Sequence, residues 1–305
     1  CLLEVVATFA SFYGRDYHMI SGSDWKLKYD TGEGYGKRIG EQIDVINKVD
    51  ATYRTMKFHG FSWEIDPFEE CYINTDTGCF KEFTYPFFVS ADLYYLKLSK
   101  AYRNYHFLHY LIISEYNLEN KTYTCIDPYF QYTYHSISKQ ELFPSIDRCG
   151  KITLSELPKE IRAEDYIKVI REDIRLVNQN NENYINIKRL ANDIYTKMDI
   201  NYEFDEFKNN LQTVPIMDKI RKVAIYRNAY ACMLDYVCEL YDFKYLKEAS
   251  ELLKQSVTLW KTIKGKLLKT YITDSMNVDR EIFSQMLEQI ADIEKQVAAA
   301  ILFSH

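Results

Sequence analysis

The stretch HFLHYLIISEYNLENKTYTCIDPYF, His106–Phe130, decides how this chain folds. It reads as a β-hairpin. Tyr110–Ser114 and Tyr123–Ile126 are two apolar runs, and the polar Asn117–Lys121 between them is turn-forming. A turn centred near Leu118 puts His109 nine residues before it and Asp127 nine after it. An antiparallel pair brings such ends together. Cross-strand Cβ atoms lie about 4.5–5.5 Å apart, within reach of a carboxylate–imidazole hydrogen bond. Pro128 ends the second strand because it has no N–H for the ladder. His106, three residues before His109, is the competing base, but it comes too early to face Asp127 in the simplest register.

A His–Asp pair at a sheet end lacks only a nucleophile, and the chain opens with one. Leu2–Tyr13 is apolar enough for a buried helix, with Gly14 as its stop. Cys1 then falls at the N-terminus of that helix. The dipole and unpaired N–H groups there favour a thiolate and can hold an oxyanion forming beside it. The competing reading is a small buried Cys capping a core helix. A chain that opens with Cys rather than Met is expected to have lost a segment upstream.

The bulk numbers narrow the function classes. The chain has 305 residues, enough for two domains, and 47% of them are hydrophobic, enough for a sizeable core. A net charge of −6 disfavours nucleic acid as partner. The seven Cys are scattered, with no CxxC, and the six His form no tight cluster, so neither a metal nor a cofactor is expected. The scattered thiols suggest a reducing, cytoplasmic setting. No apolar run approaches the ~20 residues of a membrane span. Self-association into an oligomer stays open.

Ser21–Gly40 holds five of the ten glycines. GEGYGKRIG is neither dinucleotide fingerprint nor phosphate loop; a loop over a cleft is expected, with Trp25 and Tyr35 lining it. Glu41–Tyr53 reads as an amphipathic helix through Ile43, Ile46 and Val49. Phe68–Asn74 and Cys79–Phe83 read as short strands around Thr75–Gly78, bringing Cys71 near Cys79. Tyr85–Ala91 is strand-like and leads into Asp92, Tyr94 and Tyr95, which are expected to line the site before His109. Phe130–His135 extends the sheet, and Cys149–Gly150 reads as a boundary. From Glu156 onward Gly is rare and apolar residues recur at helical steps. Helices are expected near Lys159–Val177, Asn183–Met198, Glu203–Leu211, Met217–Tyr241, Lys244–Tyr271 and Asp279–Leu302. The last should be capped by Asn277 or Asp279 and bury Ile282, Met286, Ile290, Ile293 and Val297. The fold class is therefore α+β, with a catalytic domain over 1–150 and an all-helical domain over 151–305.

A helix opened by Cys, then HxxHYLII and CIDPYF with PFFVSADLYYL before them, resembles the papain-like fold. More narrowly, it is similar to the butirosin biosynthesis protein H amino-terminal family, related to double-glycine leader peptidases. The resemblance covers about residues 1–150 and more loosely the helical part. It implies an acyltransferase: an acyl or peptidyl group leaves a carrier-protein phosphopantetheine thioester for the enzyme Cys, then passes to an amine acceptor, as in nonribosomal peptide or other secondary-metabolite biosynthesis. Cys1 would be nucleophile, His109 base and Asp127 the residue orienting His109. Papain-like enzymes usually carry a Gln before the Cys for the oxyanion; here either the segment that bears it was lost, or the Cys1 N–H and another donor hold the oxyanion. A peptidase or thioesterase with the same triad, an N-terminal-nucleophile hydrolase and a non-catalytic carrier-protein-binding module are the rival readings.

Overall fold

In the computed structural model the hairpin forms the middle of an antiparallel sheet. The structure describes residues 2–22, 25–30, 38–46, 50–68, 85–129, 133–158, 160–211, 213–274 and 276–304. The hairpin strands are β5 (Leu108–Asn117) and β6 (Thr122–Asp127). The turn forms because Asn117 Oδ1 accepts the N–H groups of Glu119 and Asn120, both at 3.0 Å, while Lys121 takes a positive φ of 52°. Together with β3 (Phe61–Pro67), β4 (Phe87–Asp92), β7 (Thr133–Ser138) and β8 (Ile146–Leu154) they make a six-stranded sheet in the order β3-β8-β4-β5-β6-β7.

Side-chain alternation gives this sheet two buried faces. Phe87, Val89, Ala91, Leu111, Ile113, Tyr123 and Cys125 line one, covered by the 93–101 loop and by Leu142 of α3 (Lys139–Leu142). Phe88 and Ile112 line the other, with Tyr110 and Ile126, beneath Val5 and Phe9 of α1 (Leu2–Phe12). The expected boundary at Cys149–Gly150 is instead the middle of β8. Cys149 is buried, and Gly150 lies under Phe88, where a Cβ would meet the ring at 2.2 Å. A glycine there signals an aromatic ring packed over the backbone, not a linker.

The chain divides into two units, but not by one cut. The first comprises 1–20 and 52–159; the second comprises 21–51 and 160–305. The expected helix over Glu41–Tyr53 is replaced by β2 (Ile43–Ile46), paired with β1 (Lys26–Tyr29), and by α2 (Ala51–His59). Ile43–Ile46 fits both helical and strand periods, and the β1 ladder decides for strand.

The β1–β2 ribbon belongs to the helical unit. Its Leu27 N–H donates to Asn183 Oδ1 (2.8 Å), and Leu27 C=O accepts from Asn186 Nδ2 (3.1 Å). Two amide side chains of α5 (Glu182–Lys197) thus stand in for a neighbouring strand. Gly40 has the same cause: a Cβ there would lie 2.1 Å from the Ile216 nitrogen, in α7 (Pro215–Tyr241). The remaining helices are α4 (Ala163–Val177), α6 (Ile200–Phe204), α8 (Lys244–Thr273) and α9 (Met276–Leu302). Glu203–Leu211 keeps only the last two residues of α6 and a 3-10 turn.

In α9 the buried face runs through Phe283, Leu287, Ile290, Glu294 and Val297, while Ile282 is 36% exposed. Asp279 is in the first turn rather than capping it, and accepts from Thr270 Oγ1 at 2.8 Å. Glu294 is completely buried and gathers Arg227, Asn183 (2.9 Å) and Ser256 (2.8 Å) around its carboxylate.

Candidate functional site

His109 and Asp127 meet. His109 Nε2 lies 2.9 Å from Asp127 Oδ2, and both side chains are buried. The register that joins them differs from a symmetric hairpin. Ile112 faces Ile126, so Asp127 comes level with Leu111 and stands diagonally from His109. A one-residue shift between Ile113 and Glu115 makes the hairpin asymmetric. Diagonal neighbours are ~7–8 Å apart, a gap that only the far side of an imidazole spans. This explains why Nε2, the distal ring nitrogen, makes the bond. An ionised carboxylate only accepts, so Nε2 carries the proton and donates it. Proton exchange with a reacting group then falls to Nδ1.

The DPY sequence holds the carboxylate still. Asp127 Oδ1 accepts the Tyr129 N–H at 3.0 Å across the turn that Pro128 begins. Tyr129 sets its ring edge-on to His109, with centroids 5.9 Å apart, and Phe107 stacks on the same imidazole at 6.4 Å. Phe107 and Tyr129 are each more than 40% exposed, so the aromatic contacts of His109 lie at the protein surface.

The direction of α1 follows from two anchors. Arg15 Nη2, just beyond its C-terminal end, donates to Ser155 C=O at 2.9 Å, at the far end of β8. Phe9 lies over Phe88, ring to ring at 6.0 Å. From Phe9 back to Leu2 the helix rises ~10 Å. From Phe88 to Ala91 the strand also advances ~10 Å, and Ala91 is the partner of His109. The N-terminal end of α1 is therefore level with the His109 row. Tyr110 and Ile112 face α1, whereas His109 and Asp127 share the parity of Leu111, on the other face of the sheet.

A second His–Asp pair stands at the same sheet end. His106 Nδ1 donates to Asp92 Oδ2 at 2.6 Å, and Asp92 Oδ1 accepts the N–H groups of Tyr94 (3.0 Å) and Phe107 (3.1 Å). Partial burial pushes the Asp92 carboxyl up, but the His106 and backbone hydrogen bonds outweigh it and hold the pKa below the usual carboxylate value. The His106 ring stacks on Tyr94 at 4.3 Å, with Tyr95 edge-on at 6.2 Å. Asp92, Tyr94 and Tyr95, expected as lining residues, are thus gathered around His106.

Two expectations fall elsewhere. Trp25, expected on a cleft wall, is fully buried in the helical unit, its ring 5.5 Å from Tyr230 and under the Arg227 guanidinium. Its size and apolarity fill a helix–ribbon core. Cys1, Tyr35, Cys71 and Cys79, with the strand and turn readings over 69–84, lie outside the described residues. Of the described thiols, Cys125 is buried and pushed up to about 12 by that burial, which makes it inert at neutral pH.

The His106–Asp92 partnership is not legible in the sequence because thirteen residues of irregular loop separate its members, and no period links them. Compared with models of known protein families, the chain matches none, and no curated protein sequence matches it.

Proposed function

We propose that the chain is a papain-like cysteine acyltransferase of the butirosin biosynthesis protein H amino-terminal type. It would form an amide by moving an acyl or peptidyl group from a carrier-protein phosphopantetheine thioester to an amine, in cytoplasmic nonribosomal peptide or related secondary-metabolite biosynthesis. One observation carries the reading: the buried His109 Nε2–Asp127 Oδ2 bond at the sheet end level with the start of α1. Cys1 immediately precedes that helix in the sequence.

The chemistry follows from these groups. His109 Nδ1 accepts the Cys1 thiol proton, and Asp127 steadies the imidazolium that results. The thiolate attacks the thioester carbonyl. N–H groups of the first turn of α1 offer stabilisation to the tetrahedral oxyanion. The C–S bond to pantetheine breaks, and that sulfur leaves with the proton from His109. An amine then attacks the acyl-Cys1 carbonyl, the second C–S bond breaks, and the Cys1 sulfur leaves with the proton that the nitrogen gives up through His109. The rings of Phe107 and Tyr129 beside His109 favour amine over water by keeping its surroundings apolar.

The test is intact-mass spectrometry of the protein with an acyl-pantetheine thioester, with and without an amine. The expected results are an acyl adduct on Cys1, its discharge as amide, and no adduct with Cys1→Ala or His109→Ala. Discharge only to free acid, with amines present, would identify a thioesterase. An adduct that survives His109→Ala would identify an N-terminal-nucleophile enzyme, and no adduct in the native chain would leave a binding module.

A further inference from the structure

We infer that His106 is the proton acceptor for the incoming amine, held by Asp92 and Tyr94, and separate from the His109–Asp127 pair that serves the thiol. The inference rests on the acyltransferase reading above and names its acceptor side.

The corner is built for a fixed imidazole. Asp92 closes β4, one row beyond Ala91, and Ala91 pairs with His109. Its carboxylate is locked by two backbone N–H groups, so Oδ2 is left to hold His106 Nδ1 at 2.6 Å. Tyr94 fixes the plane of the ring from one side. With Nδ1 donating to a carboxylate, Nε2 carries the lone pair of the neutral ring. That atom makes no hydrogen bond among the described residues, and the His106 side chain is 67% exposed.

The two pairs differ where their tasks differ. His109 is 2% exposed, which suits exchange with a sulfur but not with a hydrated cation. An alkylamine of pKa near ~10 arrives as ammonium and must lose a proton before it can attack. His106 is open to it, with its side chain 67% exposed and the rings of Tyr94 and Tyr95 beside it. Alternation also assigns Asp92 to the sheet face of Phe88, the face covered by α1, whereas His109 has the opposite parity. The two imidazoles therefore approach one sheet end from its two sides. In the step, one ammonium proton passes to His106 Nε2, the amine lone pair attacks the acyl-Cys1 carbonyl, the C–N bond forms, the C–S bond breaks, and the second nitrogen proton passes through His109 to the departing Cys1 sulfur. His106 then releases the proton to solvent.

The experiment uses the full chain loaded with one acyl group and discharged in single turnover by two acceptors. One is a primary alkylamine. The other is hydroxylamine, already unprotonated at neutral pH. In His106→Gln, acylation of Cys1 should stay within about twofold of native, while discharge to the alkylamine falls about 100-fold, the lower range of general-base catalysis. Discharge to hydroxylamine should change less than about threefold, a split that a merely structural role of His106 does not produce. Added imidazole should restore alkylamine discharge in His106→Ala, and Asp92→Asn should show the same selectivity more weakly. Equal loss with both amines, no loss with either, or a parallel loss of acylation overturns the inference while leaving acyl transfer itself intact. Failure of the native chain to acylate removes both readings together.

Discussion

Replacing Glu294 with Ala should nearly unfold the helical unit. The carboxylate is completely buried, as is its partner Arg227, whose Nε and Nη2 both donate to it. Asn183 Nδ2 and Ser256 Oγ donate as well, and Trp260 Nε1 approaches at 3.5 Å. Removal leaves a guanidinium with no second anion among the described residues, plus two neutral donors. Breaking a buried pair from one side costs about 3–5 kcal/mol, and each neutral donor left unsatisfied adds ~1–3 kcal/mol in the unrelaxed limit. Water entering the vacated space offsets part of this, so about 4–6 kcal/mol is the expected net loss. Against a total of ~5–15 kcal/mol for a folded protein, that is a large share.

The double variant Arg227→Met with Glu294→Leu removes the charge along with its partner. It should recover more than half of the loss, because much of the single-variant cost is an orphaned ion rather than a missing attraction. Urea unfolding followed by tryptophan fluorescence reads both, since Trp25 and Trp260 flank Arg227. A Glu294→Ala midpoint implying under ~1 kcal/mol, or a double variant as unstable as the single, would refute the reasoning.

Asp127→Asn should lower the rate of Cys1 acylation ~10³–10⁴-fold with little change in stability, because an amide can donate to Nε2 and so force the proton onto Nδ1, the nitrogen meant to accept it; stopped-flow acylation checks this. His59 accepts the Met19 N–H at 3.1 Å through Nε2, and burial pushes it down to about 4. The unfolded chain protonates this His below ~6.5 and the folded chain does not until about 4, so the sheet unit should lose up to ~3 kcal/mol as pH falls across that window. Melts at pH 7 and pH 5 should separate accordingly, and His59→Gln should flatten the difference. Gly150→Ala should cost about 1–3 kcal/mol by driving a methyl into the Phe88 ring, visible as a lower thermal midpoint.

Much of the site was legible along the chain because its key members lie on one hairpin. Two apolar runs and a polar turn suffice to bring His109 near Asp127, and Asp-Pro-Tyr marks the strand end and the turn that anchors the carboxylate. The detail was not legible. A one-residue shift inside β5 moves Asp127 to the diagonal and selects Nε2 as its partner, and no residue type announces such a shift. His106 and Asp92 are joined through irregular backbone, so only folding reveals them as a pair.

Local periodicity determined the long helices of the second half and the α+β class, since 3.6- and 2-residue repeats are written in neighbouring residues. Tertiary structure alone decided three things. It gave residues 21–51 to the helical unit, because Leu27 is held by amides more than 150 positions away. It turned Gly150 from a boundary into a space for Phe88. It also sank Glu294 into a core that its charge would forbid were Arg227 not there to meet it. Each of these depends on a partner remote in the chain, and a residue carries no local mark of the partner it will meet.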